Sequence, residues 1–248
     1  SIGNVIHFAN KKEGWALAKN DVGSQLFYTN DSGKTWRLQF SGAIRPHKSP
    51  FVGGPGRGAD TGKLYELLSI FFADNKRGCI SGSAVIFCTY DGGAAWEKGG
   101  SLWLNSGQFV NTNVAWAVGY YAGVLMKTED GGKNWVMKNR VAIKRSNFEY
   151  IGYTTFINST IGWVLIGSTK VGARGGAIIK TSDGGDTWEI QEKFSMPTSI
   201  NGSFFINPST GWLVGWQGKR IGSSTVLQNS IILHTKDGGK RWEIQSKE

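Results

Sequence analysis

The chain has 248 residues, 40% of them hydrophobic and 12% aromatic, enough to bury a sizeable core within one all-β domain. Its 36 glycines are spread between apolar runs, which excludes collagen-like and low-complexity chains. A formal net charge of +10 directs attention to acidic partners, and the longest apolar stretch, Leu67 to Ala73, falls far short of the ~18 residues a membrane-spanning helix requires.

The opening Ser1-Ile2-Gly3 has neither a basic region nor an apolar core of a leader, so the chain reads as cytosolic or as a mature form. The first unit, residues 4–40, runs from the apolar Ile6-His7-Phe8 through Gly14-Trp15 to Thr29-Asn30-Asp31-Ser32-Gly33-Lys34-Thr35-Trp36. Residues 41–63 hold three of the five prolines and no alternating pattern, which predicts a long loop. The same succession then returns four times, over 64–98, 107–139, 150–193 and 198–247. Its final segments carry Asp91 and Trp96, Asp130 and Trp135, Asp183 and Trp188, and Asp237 and Trp242. Each Asp is followed by Gly two places on and Trp five places on; upstream lie Ala115-Trp116, Gly162-Trp163 and Gly211-Trp212, with Gly78-Cys79 in the second unit.

Each unit therefore reads as strands a, b and c, an Asp-Gly turn, and a strand d beginning at the Trp. Four short strands per unit cannot bury both faces alone, so the expected fold is a five-bladed β-propeller of four-stranded antiparallel blades, a single domain over 1–248. The register has the chain start on an innermost strand and end on an outermost one, with closure by packing of the first blade on the last.

The motif (Ser/Thr)-x-Asp-x-Gly-x-x-Trp resembles the Asp-box, or BNR repeat, of sialidases, sortilin-type receptors and photosystem II assembly and stability factors. The fuller unit, Gly211-Trp212-Leu213-Val214-Gly215 followed by Ile231 to Glu243, looks most like the photosystem II assembly-factor branch. That resemblance implies a scaffolding propeller in which the five box Asp side chains close c–d turns and the five box Trp rings pack between strands. The chemistry suits these roles, because Asp holds local turns and Gly supplies the permissive backbone.

This strand order puts the boxes on one face and the long irregular segments 41–63, 99–106, 139–149, 170–176 and 217–229 on the other. Those segments carry Arg45, Lys48, Arg57, Lys63, Arg140, Lys144, Arg145, Lys170, Arg174, Lys219 and Arg220. Trp103, Trp216, Tyr120 and Tyr121 fall at or beside them, and aromatic residues with Arg are the usual anchors of interfaces. The expected function is a non-enzymatic scaffold, assembly factor or immunity-type inhibitor that captures an acidic protein partner on this basic face, acting as a monomer. The plainer alternatives are solvating charges and rings packed under their own loops.

The rival is a glycan-binding or sialidase-like propeller. Its carboxyl pair would have to be Glu66 and Glu149, the latter beside Tyr150, and the Arg-Ile-Pro motif is absent. Nucleic-acid binding ranks third, for want of a recognised module. No cofactor is expected, and His7, His47 and His234 lack metal-like spacing. Cys79 and Cys88 would stand opposite each other across a turn near Ser83. They allow either a cross-strand disulfide, which implies export, or two buried thiols. A periplasmic, lumenal or secreted location is preferred to the cytoplasm.

Overall fold

The computed structural model describes residues 6–20, 23–41, 67–82, 85–100, 104, 106–119, 124–138, 150–168, 175–195, 198–221 and 224–247. Twenty strands form five antiparallel sheets, each of four consecutive strands. The first sheet is Ile6–Phe8 (β1), Gly14–Asn20 (β2), Gly23–Thr29 (β3) and Arg37–Ser41 (β4). The second is Leu67–Phe72 (β5), Gly78–Gly82 (β6), Val85–Thr89 (β7) and Glu97–Gly100 (β8). The third is Ser106–Phe109 (β9), Ala115–Val118 (β10), Leu125–Thr128 (β11) and Val136–Lys138 (β12). The fourth is Tyr150–Phe156 (β13), Gly162–Ser168 (β14), Gly175–Thr181 (β15) and Glu189–Ser195 (β16). The fifth is Thr198–Phe205 (β17), Gly211–Ile221 (β18), Ser224–Thr235 (β19) and Glu243–Lys247 (β20).

Two compact units divide these sheets. One comprises Ser1–Asn105 with Gly132–Asn134, the other Ser106–Gly131 with Trp135–Glu248. In the first unit, Trp15, Leu17 and Leu26 of sheet one bury against Leu67, Ile70, Phe72, Ile80 and Phe87 of sheet two. In the second, Trp116, Val118 and Leu125 of sheet three meet Phe156, Val164 and Ile179 of sheet four. The opposite side of sheet four, through Trp163, Leu165 and Ile178, covers Phe205, Leu213, Ile231 and Leu233 of sheet five. The inner strands β6, β7, β10 and β11 are buried at every residue, Ser81, Lys127 and Thr128 included.

One aromatic arrangement recurs at these junctions. The last residue of each first strand is Phe, paired with the residue that opens the second strand: Phe8 with Gly14, Phe72 with Gly78, Phe109 with Ala115, Phe156 with Gly162 and Phe205 with Gly211. Glycine is needed where the ring lies flat on the backbone: a Cβ at Gly162 would meet the Phe156 ring at 2.2 Å. The other side of the ring then receives the Trp of the preceding sheet. Trp15 stacks on Phe72 at 3.7 Å, Trp116 on Phe156 at 4.2 Å and Trp163 on Phe205 at 3.6 Å, all within 9° of parallel. The box Trp of the Phe's own sheet meets it edge-on, as Trp96, Trp188 and Trp242 do at 6.1–6.4 Å. Edge-to-face and offset contacts of this kind add about 0.5–1.5 kcal/mol beyond the area they bury.

Two sequence expectations need correction. Strand d begins one residue after the box Trp in every sheet, at Arg37, Glu97, Val136, Glu189 and Glu243. The ring is instead held by the turn, with Trp188 Nε1 donating to Gly185 O at 3.1 Å and Trp242 Nε1 to Gly239 O at 3.0 Å. Segment 217–229 is not a loop: β18 and β19 continue as a ladder from Gly218↔Leu227 to Ile221↔Ser224. Trp216 accordingly sits inside a strand, opposite Ser230. Trp212 is half-buried where Trp15, Trp116 and Trp163 are fully enclosed. Phe204 and Ile206 are exposed, and the ring that enters the core between them is Phe205.

Candidate functional site

The box turns are built almost identically. A Thr ends strand c, and its hydroxyl donates to the Asp carboxylate at 2.8–2.9 Å in all five boxes: Thr29 to Asp31, Thr89 to Asp91, Thr128 to Asp130, Thr181 to Asp183 and Thr235 to Asp237. The same hydroxyl accepts the amides of Gly33, Gly93, Gly185 and Gly239. The carboxylate then accepts the amide four residues on, at Thr35, Ala95, Thr187 and Arg241, each at 2.9 Å. Where that residue is Thr its hydroxyl adds a further bond, from Thr35 to Asp31 and from Thr187 to Asp183.

Charge-assisted donors aimed at a carboxylate stabilise its ionised form. The hydroxyl and amide of Thr35 hold Asp31 at about 2, and those of Thr187 hold Asp183 below the usual carboxylate range. The Ala95 amide lowers Asp91; Asp237 is lowered although desolvation opposes it, because the amide of Arg241 and the hydroxyl of Thr235 outweigh that cost. These carboxylates are committed to their own turns. Their lone pairs serve the fold, and an exogenous substrate would have to displace structural donors.

A second repeated residue lies at the same end of the sheets. Asn10, Asp74, Asn111, Asn158 and Asn207 stand four positions before the residue that opens strand b, and each Oδ1 accepts two backbone amides of the a–b turn. The turn carbonyls then receive box amides: Ser32 to Lys12, Gly92 to Lys76, Gly131 to Asn113, Gly184 to Thr160 and Gly238 to Ser209, at 2.7–3.0 Å. Sequence reasoning missed this Asx position, although its constant spacing was available. In the first unit Glu13 adds a bridge, accepting from Asn10, Tyr28 and Asn75, and these bonds keep its carboxyl below the ordinary range.

The four-residue cross-strand rung beneath the boxes varies in chemistry. The strand-b residue pairs with Tyr28, Cys88, Lys127, Lys180 or His234. Lys127 and Lys180 sit 5.2 and 5.1 Å from the Trp116 and Trp163 rings, and His234 stacks on Trp212 at 4.9 Å. In sheet two the pair is covalent: Cys79 and Cys88 form a disulfide with Cα atoms 4.1 Å apart. Both are buried, and the bridge abuts Gly132, where a Cβ would meet Cys88 Sγ at 2.7 Å. The disulfide thus fills the place that a Trp ring fills elsewhere, as Trp116 does beneath Gly185.

Arg45, Lys48, Arg57, Lys63, Glu66, Trp103, Tyr120, Tyr121, Arg140, Lys144, Arg145, Glu149, Lys170 and Arg174 fall outside the described residues. Lys219 and Arg220 lie on the β18–β19 ladder, opposite Val226 and Thr225. His7 and His234 belong to separate aromatic contacts, and burial against Phe72 pushes His7 below its ordinary value. Among the described residues no three His, Cys, Asp or Glu side chains converge as metal ligands, and no helix is long and apolar enough to cross a membrane.

Five four-stranded antiparallel sheets with this connectivity define the class: an all-β, five-bladed β-propeller. No family model matches the sequence, and no curated protein matches it. Solved structures do. YCF48 from Cyanidioschyzon merolae is similar at 16% identity and TM-score 0.55, over 98% of this chain and 84% of its own. A GH74 xyloglucanase from Xanthomonas campestris is similar at 15% identity and TM-score 0.62, over 95% of this chain and 37% of its own. A GH74 enzyme from Niastella koreensis is similar at 12% identity and TM-score 0.63, over 95% of this chain and 36% of its own. At these identities the likeness is one of fold.

Proposed function

We propose that this propeller is a non-enzymatic binding protein, an assembly-factor or immunity-type scaffold, that captures an acidic protein partner at the end of its blades opposite the box turns. The observation that carries this reading is the division of labour between the two ends. At the box end, carboxylates, hydroxyls and turn amides are consumed by one another. The strand order assigns the long connections to the opposite end, and by sequence 139–149 and 169–174 hold Arg140, Lys144, Arg145, Lys170 and Arg174 against the single acid Glu149. The β18–β19 ladder adds Lys219 and Arg220. Arg45, Lys48 and Arg57 give the 42–66 connection of the first unit the same sign. Clustered positive charge steers an anionic partner and excludes basic ones. Trp103, Trp216, Tyr120 and Tyr121 would supply the apolar anchors. The Asp-box assignment of the turns and a periplasmic, lumenal or extracellular location belong to the same reading; the buried disulfide supports an oxidising compartment.

The test is affinity capture from the source organism's extract with the wild type and with Arg140→Glu, Lys144→Glu, Arg145→Glu combined, read by mass spectrometry. An acidic protein retained by the wild type and lost with the triple variant, at unchanged thermal stability, supports the proposal. Equal retention by both proteins refutes it. Turnover or binding of a glycan by the wild type would favour a carbohydrate-active propeller.

A further inference from the structure

Two lysines occupy the same place in consecutive sheets of the second unit, and their surroundings differ by one carboxylate. Lys127 stands immediately before the box Thr of sheet three, and Lys180 immediately before that of sheet four. Each pairs across the ladder with the strand-b Trp, Lys127 with Trp116 and Lys180 with Trp163, and sets its nitrogen over that ring at 5.2 and 5.1 Å. Each also lies against a box Gly of the next sheet. A Cβ at Gly184 would meet Lys127 Nζ at 3.4 Å, and one at Gly238 would meet Lys180 Nζ at 2.8 Å.

Lys127 is buried and closed by Glu129, two residues on, at 2.7 Å. The same position after Lys180 is Ser182, which is exposed and carries no charge. Lys180 Nζ instead donates to Pro208 O at 3.2 Å, and among the described residues no carboxylate lies within ion-pair distance of it. Burial, and after it the charge of Lys240, push the Lys180 amine below the ordinary lysine value. Glu189, opposite it on β16, and Asp237 of the fifth box act the other way and are outweighed. The side chain is only partly buried, which leaves it within reach of a small reagent.

The geometry points to Lys180 as a covalent carbonyl-capture site, an amine that condenses with a small aldehyde to form a Schiff base. A lysine amine is nucleophilic only when neutral, and desolvation beside another cation favours that form. The nitrogen lone pair adds to the aldehyde carbon, forming the C–N bond while the carbonyl π pair moves to oxygen and takes up a proton. Loss of that oxygen as water, with formation of the C=N bond, completes a step that needs no oxidant or reductant. The aldehyde class follows from what surrounds the nitrogen. A protonated Schiff base keeps a positive charge over Trp163 and one N–H for Pro208 O, whereas an acyl donor would leave a neutral amide and lose the cation–π contact. Every group involved belongs to the second unit, and the site is independent of partner capture.

The experiment is peptide-level mass spectrometry of the full chain after brief exposure to limiting propanal at neutral pH with cyanoborohydride, which fixes each Schiff base as a propyl-lysine. Lys180 should be labelled several-fold faster than the exposed Lys11 and Lys12, and Lys127 slower than either. Ser182→Glu supplies the carboxylate that Glu129 provides in sheet three and should slow Lys180 to the rate of Lys11 and Lys12 or below. Ser182→Gln, of the same size without the charge, should leave it fast. If Ser182→Glu lowers the thermal midpoint, competitive labelling of the wild type with acetic anhydride across pH decides instead, and the Lys180 rate should level off with a midpoint below the ordinary lysine range. Labelling of Lys180 no faster than that of Lys11 and Lys12 overturns the inference, as does equal slowing by both Ser182 variants or an ordinary midpoint.

Discussion

At the residue scale, the boxes show how one side-chain oxygen can replace several backbone interactions. The residue directly after the box Asp adopts positive φ, and four boxes place Gly there: Gly92, Gly131, Gly184 and Gly238, at 73–78°. The first box has Ser32 at 66°, the one non-Gly residue with positive φ among the described residues. A left-handed conformation costs an L-residue about 1–2 kcal/mol, offset in part by the greater freedom of an unfolded Gly. Ser32→Gly should therefore stabilise the protein by about 0.5–1 kcal/mol, read as a higher urea midpoint at constant slope. The box carboxylates carry a pH signature of definite sign. Asp31 ionises at about 2 in the folded chain against 3.8 ordinarily, and Asp91, Asp183 and Asp237 are lowered too. A depressed folded value gives stability that is complete above about 3.8 and is lost as pH falls through about 2. Thermal unfolding between pH 6 and 2 should show this loss, and Asp31→Asn should show a shallower decline.

At the scale of elements, the rung beneath the boxes predicts unequal sensitivities. Trp163 is fully buried, stacked on Phe205 and bonded to Gly238 O at 2.8 Å, so Trp163→Ala should cost about 3–5 kcal/mol. Trp212→Ala, at the same repeat position but only partly buried, should cost less, about 1–3 kcal/mol. Chemical denaturation of the two variants compares them directly. The disulfide closes a short loop, with a sequence separation of 9, for which chain-entropy arguments give about 2–3 kcal/mol. Cys79→Ala with Cys88→Ala should lose at least that amount, since the bridge also fills the space beneath Gly132. A reductant should move the wild-type midpoint and leave the double variant unchanged. Strand lengths were the least legible feature here. The β18–β19 ladder runs through a segment rich in Gly, Ser and Lys that reads as a loop, because hairpin pairing there is sustained by backbone bonds and needs no apolar alternation.

For the whole molecule, the proposed partner binding rests on charge, and this makes it sensitive to salt. Screening shortens from about 10 Å at 0.1 M to about 3 Å at 1 M ionic strength. Capture through Arg140, Lys144 and Arg145 should weaken steeply over that range in a binding titration. The sequence by itself determined the number of sheets, their strand order and the chemistry of the turns. Those follow from local requirements that repeat at fixed spacing: an Asp acceptor, a positive-φ Gly and a Trp five residues later. Only the tertiary structure decided which repeats of the same pattern are enclosed. Trp163 and Trp212 sit in almost the same words of sequence, and burial belongs to the neighbour that covers a side chain, which local pattern does not record.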